Sequence, residues 1–241
     1  MISMAKAICI IPARLESSRF PNKILTEING TAMFERVYQI AQASGVFSRV
    51  FIASPNLEIL ELCDQKGIAA IPTSFNHPCG SSRVFEAVHS LDDDWDIVVN
   101  FQADQPFLPE SYLKTVVDAL GSNLISSIAY EEDEEKDEHT VKVIRNRNGE
   151  GVYFSRFPIP YSTPGASKVV RFCHLGLYAY KKEFAMFYEG DFKSELAMQE
   201  SLEQLDFIYQ GYKINVAIVP HSVPEVNTPE DLIIAKDLGF L

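Results

Sequence analysis

The chain has 241 residues, of which 46 % are hydrophobic and 22 % charged, the composition of a globular protein long enough for one large α/β domain or two small ones. Its formal net charge of −12 argues against a nucleic-acid-binding surface, which needs a basic face. No apolar run approaches the roughly 20 residues that span a bilayer, and residues 1–6 contain no long apolar segment of the signal-peptide kind. We therefore expect a cytoplasmic protein with no membrane and no nucleic-acid partner.

Short apolar strands alternate with amphipathic helices through the first half of the chain. Apolar runs predict strands at residues 7–11, 50–53, 69–71 and 97–101, and helical spacing predicts helices at 31–44, 57–66, 81–91 and 109–120. This order predicts a doubly wound, mainly parallel sheet.

The second half is less regular. Strands are predicted at 125–130, 141–145, 151–155, 169–180 and 214–218, and helices at 194–205 and 229–238, with Thr228 as the N-cap of the last. The acidic run 131–138 fits a metal site or, more simply, an exposed loop. With no internal repeat and no linker, residues 1–241 are interpreted as a single domain with a small inserted subregion.

The four cysteines are predicted to be thiols without a metal. They are widely spaced and form no Cys-x-x-Cys pair, which argues against a structural zinc site. Cys9 and Cys173 lie in apolar runs typical of buried strands, Cys63 lies in a predicted helix, and Cys79 lies in a loop.

A cationic loop follows the first predicted strand. Residues 11–23 set Arg14, Arg19 and Lys23 among small hydroxyl residues and two prolines, in a chain that is acidic elsewhere. Loops at the carboxyl ends of strands in α/β sheets bind ligands, and these cations suit a polyanion. The spacing matches neither a Walker P-loop nor a dinucleotide-binding motif. It predicts a triphosphate-binding loop, against the alternative of an ordinary solvated loop.

Two other segments supply polar groups after predicted strands. The strand at 97–101 delivers Gln102 and Asp104 to its carboxyl end, and Asp104 suits either Mg²⁺ beside a triphosphate or a cap for the following turn. In the loop 77–83, Gly80 allows close backbone approach, and the loop fits either contact with a base or ribose or simple capping of a helix by Ser81 or Ser82.

Six motifs, in chain order, resemble those of the 3-deoxy-D-manno-octulosonate (Kdo) cytidylyltransferase family. They cover nearly the whole chain and comprise Pro12-Ala13-Arg14 with Ser17-Ser18-Arg19-Phe20-Pro21-Asn22-Lys23, Gln102-Ala103-Asp104-Gln105-Pro106, Tyr153-Phe154-Ser155-Arg156, His174-Leu175-Gly176-Leu177-Tyr178-Ala179-Tyr180, Leu202-Glu203-Gln204-Leu205, and Asn227-Thr228-Pro229-Glu230-Asp231-Leu232. The cationic loop is shared with other sugar nucleotidyltransferases, whereas the motifs at 153–156 and 174–178 are more specific.

The resemblance implies a sheet of the nucleotide-diphospho-sugar transferase type and a Mg²⁺-dependent reaction. The anomeric hydroxyl of Kdo attacks the α-phosphate of CTP and gives CMP-Kdo and pyrophosphate, for lipopolysaccharide or capsule synthesis. It also implies a homodimer, with a sugar-binding and dimerisation subregion around 125–210.

The resemblance also assigns roles to individual residues of this chain. The implied triphosphate ligands are Arg14, Ser17, Arg19 and Lys23. The implied contacts to cytidine and ribose are His77, Gly80, Ser81, Arg83 and Gln102. Asp104 and Asn227 are the implied Mg²⁺ positions, and Arg14, Lys23 and Asp104 are the implied catalytic residues. The implied sugar ligands are Arg156, His174, Tyr178, Glu203 and Gln204. On chemical grounds Arg156 also fits the sugar carboxylate, whereas Tyr178 fits a core position and Glu203 a solvated helix face equally well.

Several departures from the family pattern affect the metal and sugar ends of the site. The family usually has Ser-Gly-Thr-Asp/Glu-Arg at 79–83, Gln-Gly-Asp-Glu-Pro at 102–106, Asp at 227 and Arg at 206. This chain has Cys79, Ser81 and Ser82 in the first motif, Ala103 and Gln105 in the second, and then Asn227 and Asp206. Two alternatives therefore stay open. Asp206 reverses a charge near the implied sugar pocket and could favour an added cation, so one alternative is the same transfer to a modified sugar such as an 8-amino Kdo. An amide coordinates Mg²⁺ without contributing charge, so Asn227 leaves open a non-catalytic nucleotide- or sugar-binding paralogue.

Overall fold

The computed structural model describes residues 5–16, 20–92, 94–132, 138–164, 170–188 and 193–240. Its strands are β1 (Ala7–Pro12), β2 (Glu27–Ile28), β3 (Thr31–Ala32), β4 (Arg49–Ser54), β5 (Ala70–Pro72), β6 (Ile97–Asn100), β7 (Ile125–Glu132), β8 (Lys142–Arg145), β9 (Gly151–Ser155), β10 (Arg171–Lys181) and β11 (Ile214–Val219). Its α-helices are α1 (Met33–Ala43), α2 (Leu57–Lys66), α3 (Gly80–His89), α4 (Glu110–Asp118), α5 (Lys182–Phe187), α6 (Glu195–Glu200), α7 (Gln204–Tyr209) and α8 (Pro229–Asp237), and Lys23–Leu25 forms a 3₁₀ turn. Internal contacts divide the chain into two compact units, residues 1–114 with 223–241 and residues 115–222.

The first unit contains four parallel strands in the order β6-β1-β4-β5. The strand β1 lies between two neighbours, and its residues Ile8 to Ile11 are fully buried, which explains the uninterrupted apolar run in the sequence. Because the strands are parallel, their carboxyl ends meet at one edge, where the loops after Pro12 and Asn100 begin.

The last segment of the chain is part of the first unit. Val226 and Ala235 are buried with Ile28, Met33 and Phe107 in one apolar cluster. The backbone N–H of Val226 also donates to the carbonyl of Asp104 at 3.1 Å. The predicted N-cap at Thr228 is confirmed, since α8 begins with a capping box. These contacts hold residue 227 beside the loop after β6.

The second unit is a mixed sheet with three short helices. In it β10 pairs antiparallel with β7 and β8, β8 pairs antiparallel with β9, and β11 pairs parallel with β7. The helices α5 and α7 contribute Phe184 and Phe207 to an aromatic cluster with Tyr180, Tyr188 and Tyr212, whose ring centroids lie 4.9–6.3 Å apart.

The fold class is confirmed, but three local predictions are wrong. The helix predicted at 194–205 is two helices, because Ser201 has a left-handed backbone (φ 52°) that ends α6. Residues 31–32 pair with 27–28 as a small hairpin instead of starting α1. The helix α3 starts at Gly80, and its N-cap Cys79 makes no side-chain cap, so neither Ser81 nor Ser82 is the N-cap. Cys9 and Cys173 are buried as predicted, and Cys63 lies in α2 as predicted and is also buried.

The domain prediction and the acidic run 131–138 stay open. The predicted subregion 125–210 lies within the second unit, but its role in sugar binding and dimerisation stays a prediction. The strand β7 extends to Glu132, and residues 133–137 of the acidic run lie outside the described residues. In the described part of the chain, no helix is long and apolar enough to cross a membrane.

Candidate active site

A cleft of about 720 Å³ opens at the carboxyl ends of β1 and β6 in the first unit, within the range of small-molecule sites. Nine of its lining residues carry side-chain polar or charged groups: Arg14, Glu16, Lys23, His77, Cys79, Arg83, Gln102, Asp104 and Asn227. The cleft therefore brings together most of the predicted triphosphate, nucleoside and Mg²⁺ positions. Ser81 is buried behind it and does not line it, and Ser17 and Arg19 lie outside the described residues.

Two arginines give the cleft its positive charge. The Arg83 guanidinium is buried and donates to Thr73 Oγ1 at 2.6 Å and to the Ser74 carbonyl at 2.8 Å. Burial, reinforced by the charge of Arg14, lowers the pKa of Arg83. Within the described ranges neither arginine forms a salt bridge. The opposite charges of Glu16 and Glu86 also act on Arg83. Arg14 and Arg83 line the same cleft, and two guanidinium groups near each other suit a bound anion.

The first part of the cationic loop is anchored by an asparagine. Asn56 Oδ1 accepts from the backbone N–H of Leu15 at 3.1 Å, and Asn56 Nδ2 donates to Glu16 Oε1 at 3.0 Å. The hydrogen bond from Asn56 lowers the pKa of Glu16, so this carboxyl is ionised at neutral pH. Sequence reasoning missed Asn56, because its partners lie 40 residues away in the chain.

A lysine, a carboxylate and an amide meet on the other side of the cleft. Lys23 Nζ donates to Asp104 Oδ2 at 2.8 Å and lies 3.5 Å from Asn227 Oδ1. Asp231 in α8 holds the backbone here, accepting the N–H of Asn227 at 2.7 Å. The oxygens of Asp104 and Asn227 thus face one cationic nitrogen. Oxygen donors facing a positive charge are also the ligands that Mg²⁺ prefers, so these residues fit a divalent cation.

Glu225 lies beside this group and was not predicted. Its Oε1 accepts from Gln105 Nε2 at 3.0 Å, and its carboxylate also accepts a hydrogen bond from the Asn227 side chain. Burial and the charge of Asp104 raise the pKa of Glu225, while Gln105, Lys23 and Asn227 act in the opposite direction. Both charged groups of the Lys23–Asp104 pair are therefore near Glu225.

A chain of amides fixes the orientation of Gln102. Its Nε2 donates to Asn100 Oδ1 at 2.8 Å, and Asn100 Nδ2 donates to Ser81 Oγ at 3.0 Å. A Cβ added to Gly80 would lie 2.9 Å from Gln102 Nε2 and 3.0 Å from Oε1. Gly80 is therefore required for the close approach of Gln102, and Ser81 supports this residue from a buried position. Asn100, which sequence reasoning missed, links the two.

The His77 ring is held from both sides. Its Nδ1 lies 3.1 Å from Ser82 Oγ, and its Nε2 contacts Glu86 Oε2. Burial acts to raise the pKa of Glu86, but hydrogen bonds from Ser74 and His77 outweigh it and lower the pKa. Ser74 binds Glu86 through both its backbone N–H and its hydroxyl, at 2.9 and 2.7 Å. This network fixes the loop that lines the cleft.

The predicted sugar residues all belong to the second unit, and Arg156 is tied to backbone carbonyls there. Its guanidinium donates to the carbonyls of Glu200 at 2.8 Å, Glu138 at 3.0 Å and Ser201 at 3.4 Å. The Glu200 carboxylate in turn accepts from Ser155 Oγ at 2.7 Å and from the Arg156 N–H at 2.8 Å. Because these three acceptors of the guanidinium are uncharged carbonyls, they do not neutralise the positive charge of Arg156, which is thus suited to an anion.

His174, Tyr178 and Gln204 are buried in the second unit. Tyr178 donates to Gln204 Oε1 at 3.1 Å. Ser127 Oγ lies 2.7 Å from both His174 Nε2 and the Leu177 carbonyl, so its proton goes to the carbonyl and its oxygen accepts from Nε2–H. Burial lowers the pKa of His174 to about 3, which makes it a neutral ring at physiological pH. Its Nδ1 is then a hydrogen-bond acceptor.

The structure gives Asp206 a structural role. Its carboxylate is buried in α7 and accepts the backbone N–H of Ser194, the N-cap of α6, at 2.5 Å. Glu203, which precedes α7, is half-buried. Asp206, where the family usually has Arg, therefore stabilises the N-terminus of α6.

A cleft lined by three cationic side chains and two carboxylates, at the carboxyl edge of a parallel sheet, is typical of a nucleotidyltransferase of the sugar-nucleotide class. The family model for cytidylyltransferases matches residues 8–214. The chain is 34 % identical to 3-deoxy-manno-octulosonate cytidylyltransferase of Koribacter versatilis, over 94 % of this chain and 87 % of that one. It is 37 % identical to the protein of the same name from Syntrophus aciditrophicus, over 98 % of both.

A solved structure agrees with these relatives. CMP:2-keto-3-deoxy-manno-octonic acid synthetase complexed with CTP superposes with a TM-score of 0.90 at 31 % identity, over 97 % of this chain and 98 % of that one. The chain therefore belongs to the cytidylyltransferases and, within them, to the 3-deoxy-manno-octulosonate cytidylyltransferase family.

Proposed function

We propose that this chain transfers CMP from CTP to the anomeric hydroxyl of Kdo, giving CMP-Kdo and pyrophosphate. The observation that carries the proposal is the cleft of the first unit, which is lined by Arg14, Arg83 and Lys23 together with Asp104, the ion-pair partner of Lys23. This distribution of charge suits a triphosphate and a divalent cation. Relatives that match more than nine tenths of this chain are named 3-deoxy-manno-octulosonate cytidylyltransferase, which supports the proposal.

The triphosphate is held by cations of the first unit. Arg14 and Arg83 attract its oxygens, and Ser17 and Arg19 extend the same loop as further ligands. Lys23 lines the same cleft and forms an ion pair with Asp104. The reaction breaks the bond between the α-phosphorus and its bridging oxygen while the sugar oxygen bonds to that phosphorus, so positioning and charge neutralisation supply most of the catalysis.

The cation in this proposal is Mg²⁺, held by Asp104 and Asn227. When bound, it neutralises triphosphate charge and polarises the α-phosphate. The residues of the chain position the rest of the donor. His77, Gly80 and Ser81 shape the wall that faces the nucleoside, and Gln102 presents its amide there with an orientation fixed by Asn100.

The acceptor sugar is assigned to residues of the second unit. Arg156 supplies the positive charge for the Kdo carboxylate, His174 Nδ1 and Glu203 accept hydrogen bonds from hydroxyls, and Tyr178 with Gln204 forms the buried polar pair that supports the pocket. The role of Asp206 at Ser194 removes the main reason to expect an amino sugar. We further propose that the protein is cytoplasmic, and that it is a homodimer, as the family resemblance implies. Light scattering after size-exclusion chromatography tests its mass.

A pyrophosphate-release assay with CTP, Mg²⁺ and Kdo tests the function. We expect release that depends on the sugar and falls at least about 100-fold in Asp104→Ala, the scale expected for the loss of a charged group that stabilises the transition state. Competition between Kdo and its 8-amino analogue should favour Kdo. Calorimetric binding of CTP without any sugar-dependent release would instead establish a non-catalytic paralogue.

A further inference from the structure

Two amides at the proposed cation site share one partner, Glu225. Position 105 is Gln and position 227 is Asn, where the family pattern has Glu and Asp. Gln105 Nε2 donates to Glu225 Oε1 at 3.0 Å, and the Asn227 side chain donates to the same carboxylate. Both residues that depart from the family pattern therefore donate to one carboxylate, that of Glu225, which lies outside the motifs identified in the sequence.

Glu225 is held in place by backbone as well as side chains. The next residue, Val226, is buried and donates its N–H to the Asp104 carbonyl at 3.1 Å. This contact ties the backbone beside Glu225 to the backbone of the predicted Mg²⁺ ligand. Asp104 and Lys23 lie close enough for their charges to act on Glu225. The carboxylate thus belongs to the same electrostatic group as the Lys23–Asp104 pair.

The amide orientations present oxygen to a cation. Because Gln105 and Asn227 donate their N–H groups to Glu225, their oxygens point elsewhere. Asn227 Oδ1 faces the Lys23 ammonium at 3.5 Å. Gln105 Oε1 is buried and has no hydrogen-bond partner among the described residues. A buried carbonyl oxygen without a partner is costly unless a ligand satisfies it.

We propose that Glu225 supplies the second negative charge of the divalent-cation site, replacing the charge that Asn227 does not carry, with Gln105 and Asn227 as its positioning residues. This inference rests on the proposed function, since it assumes the cation at Asp104. In this proposal Glu225 offsets the charge lost at residue 227, whereas the charge lost at residue 105 has no such replacement. Metal affinity should therefore depend on Glu225 more than on residue 227.

Binding of Mn²⁺ in the presence of CTP and without sugar, followed by the electron paramagnetic resonance signal of the free ion, tests the inference independently of turnover. We expect Glu225→Gln to raise the Mn²⁺ Kd about tenfold to 100-fold, the range for a group that tunes a metal site. The exposed acid Glu230 on α8 provides the matched control, and Glu230→Gln should leave the Kd unchanged. Adding Asn227→Asp to Glu225→Gln should restore the affinity.

Wild-type Mn²⁺ affinity in Glu225→Gln would overturn the inference, as would a failure of Asn227→Asp to restore binding. If Glu225→Gln does not fold, Gln105→Met removes the amide that positions the carboxylate, and an unchanged Kd in that variant would equally overturn it. Asp104→Ala separates this result from the proposed function. If Asp104→Ala loses Mn²⁺ and Glu225→Gln does not, only the role of Glu225 fails. If neither variant changes binding, the proposed cation site itself is wrong.

Discussion

Acidification should destabilise the protein through protonation of the buried His174 side chain. Burial lowers the pKa of this residue from 6.5 to about 3, and Ser127 accepts the Nε2 proton of the neutral form. In the unfolded chain the ring regains its ordinary pKa. Between the two pKa values the unfolded state therefore binds one more proton, so the free energy of unfolding falls as the pH falls below about 6.5.

The size of this effect follows from linkage. Each pH unit below the unfolded pKa costs about 1.4 kcal/mol for one proton, so lowering the pH from 7 to 5 should remove about 2 kcal/mol through His174 alone. Urea unfolding followed by circular dichroism at pH 7, 6 and 5 measures the total pH dependence. Because other groups also titrate, the informative quantity is the difference between the wild type and His174→Gln, which keeps an N–H for Ser127 but does not titrate.

A matched variant at an exposed histidine completes the test. His221 is exposed, and His221→Gln should keep the wild-type pH dependence. His174→Gln should be less stable at pH 7 but lose about 2 kcal/mol less on going to pH 5. Identical pH dependence in the wild type and in His174→Gln would refute the reasoning that His174 is neutral and buried.

Three further predictions concern the first unit. Gly80→Ala should weaken CTP binding about tenfold, measured by calorimetry, and leave thermal stability nearly unchanged. The new Cβ would lie 2.9–3.0 Å from the amide of Gln102, so the flexible Gln102 side chain must move. Unchanged affinity would show that Gln102 does not contact the donor. Arg83→Met, in which the new side chain has a similar length, should raise the Kd for CTP about tenfold or more, the scale of a lost charge-assisted hydrogen bond. If the Kd for cytidine rises by the same factor, Arg83 contacts the nucleoside and not the phosphates. Asp231→Ala removes the acceptor of the Asn227 and Thr228 N–H groups and should cost about 1 kcal/mol in urea unfolding; a stability equal to the wild type would show that the cap contributes nothing.

The parts that could be predicted from the sequence were those with local signals. The buried run of β1 and the cations after it marked both the central strand and one wall of the cleft, because a parallel strand needs apolar residues on both faces. The positions of Gln102 and Asp104 in the cleft could be predicted in the same way, because they follow the apolar strand β6. The helical stretch 194–205 misled, because its pattern of polar and apolar residues continues through Ser201, where only the backbone angle shows the break.

The parts that could not be predicted depend on contacts distant in the chain. Glu225 and Gln105 are 120 residues apart in the sequence, and Asn56 and Glu16 are 40 apart. Asp206 suggested a charge near the sugar, yet it binds the backbone of Ser194. Nothing local distinguishes a carboxylate that faces a ligand from one that caps a neighbouring helix, since both need only a nearby donor.

Transfer of CMP to Kdo can be followed directly by ³¹P nuclear magnetic resonance of the protein with CTP, Kdo and Mg²⁺. We predict that the three CTP signals are replaced by a phosphodiester signal of CMP-Kdo and a pyrophosphate signal in equal molar amounts. We also predict that neither product forms when Kdo is omitted. Pyrophosphate with CMP and no phosphodiester, or no conversion of CTP at all, would contradict the proposed transfer.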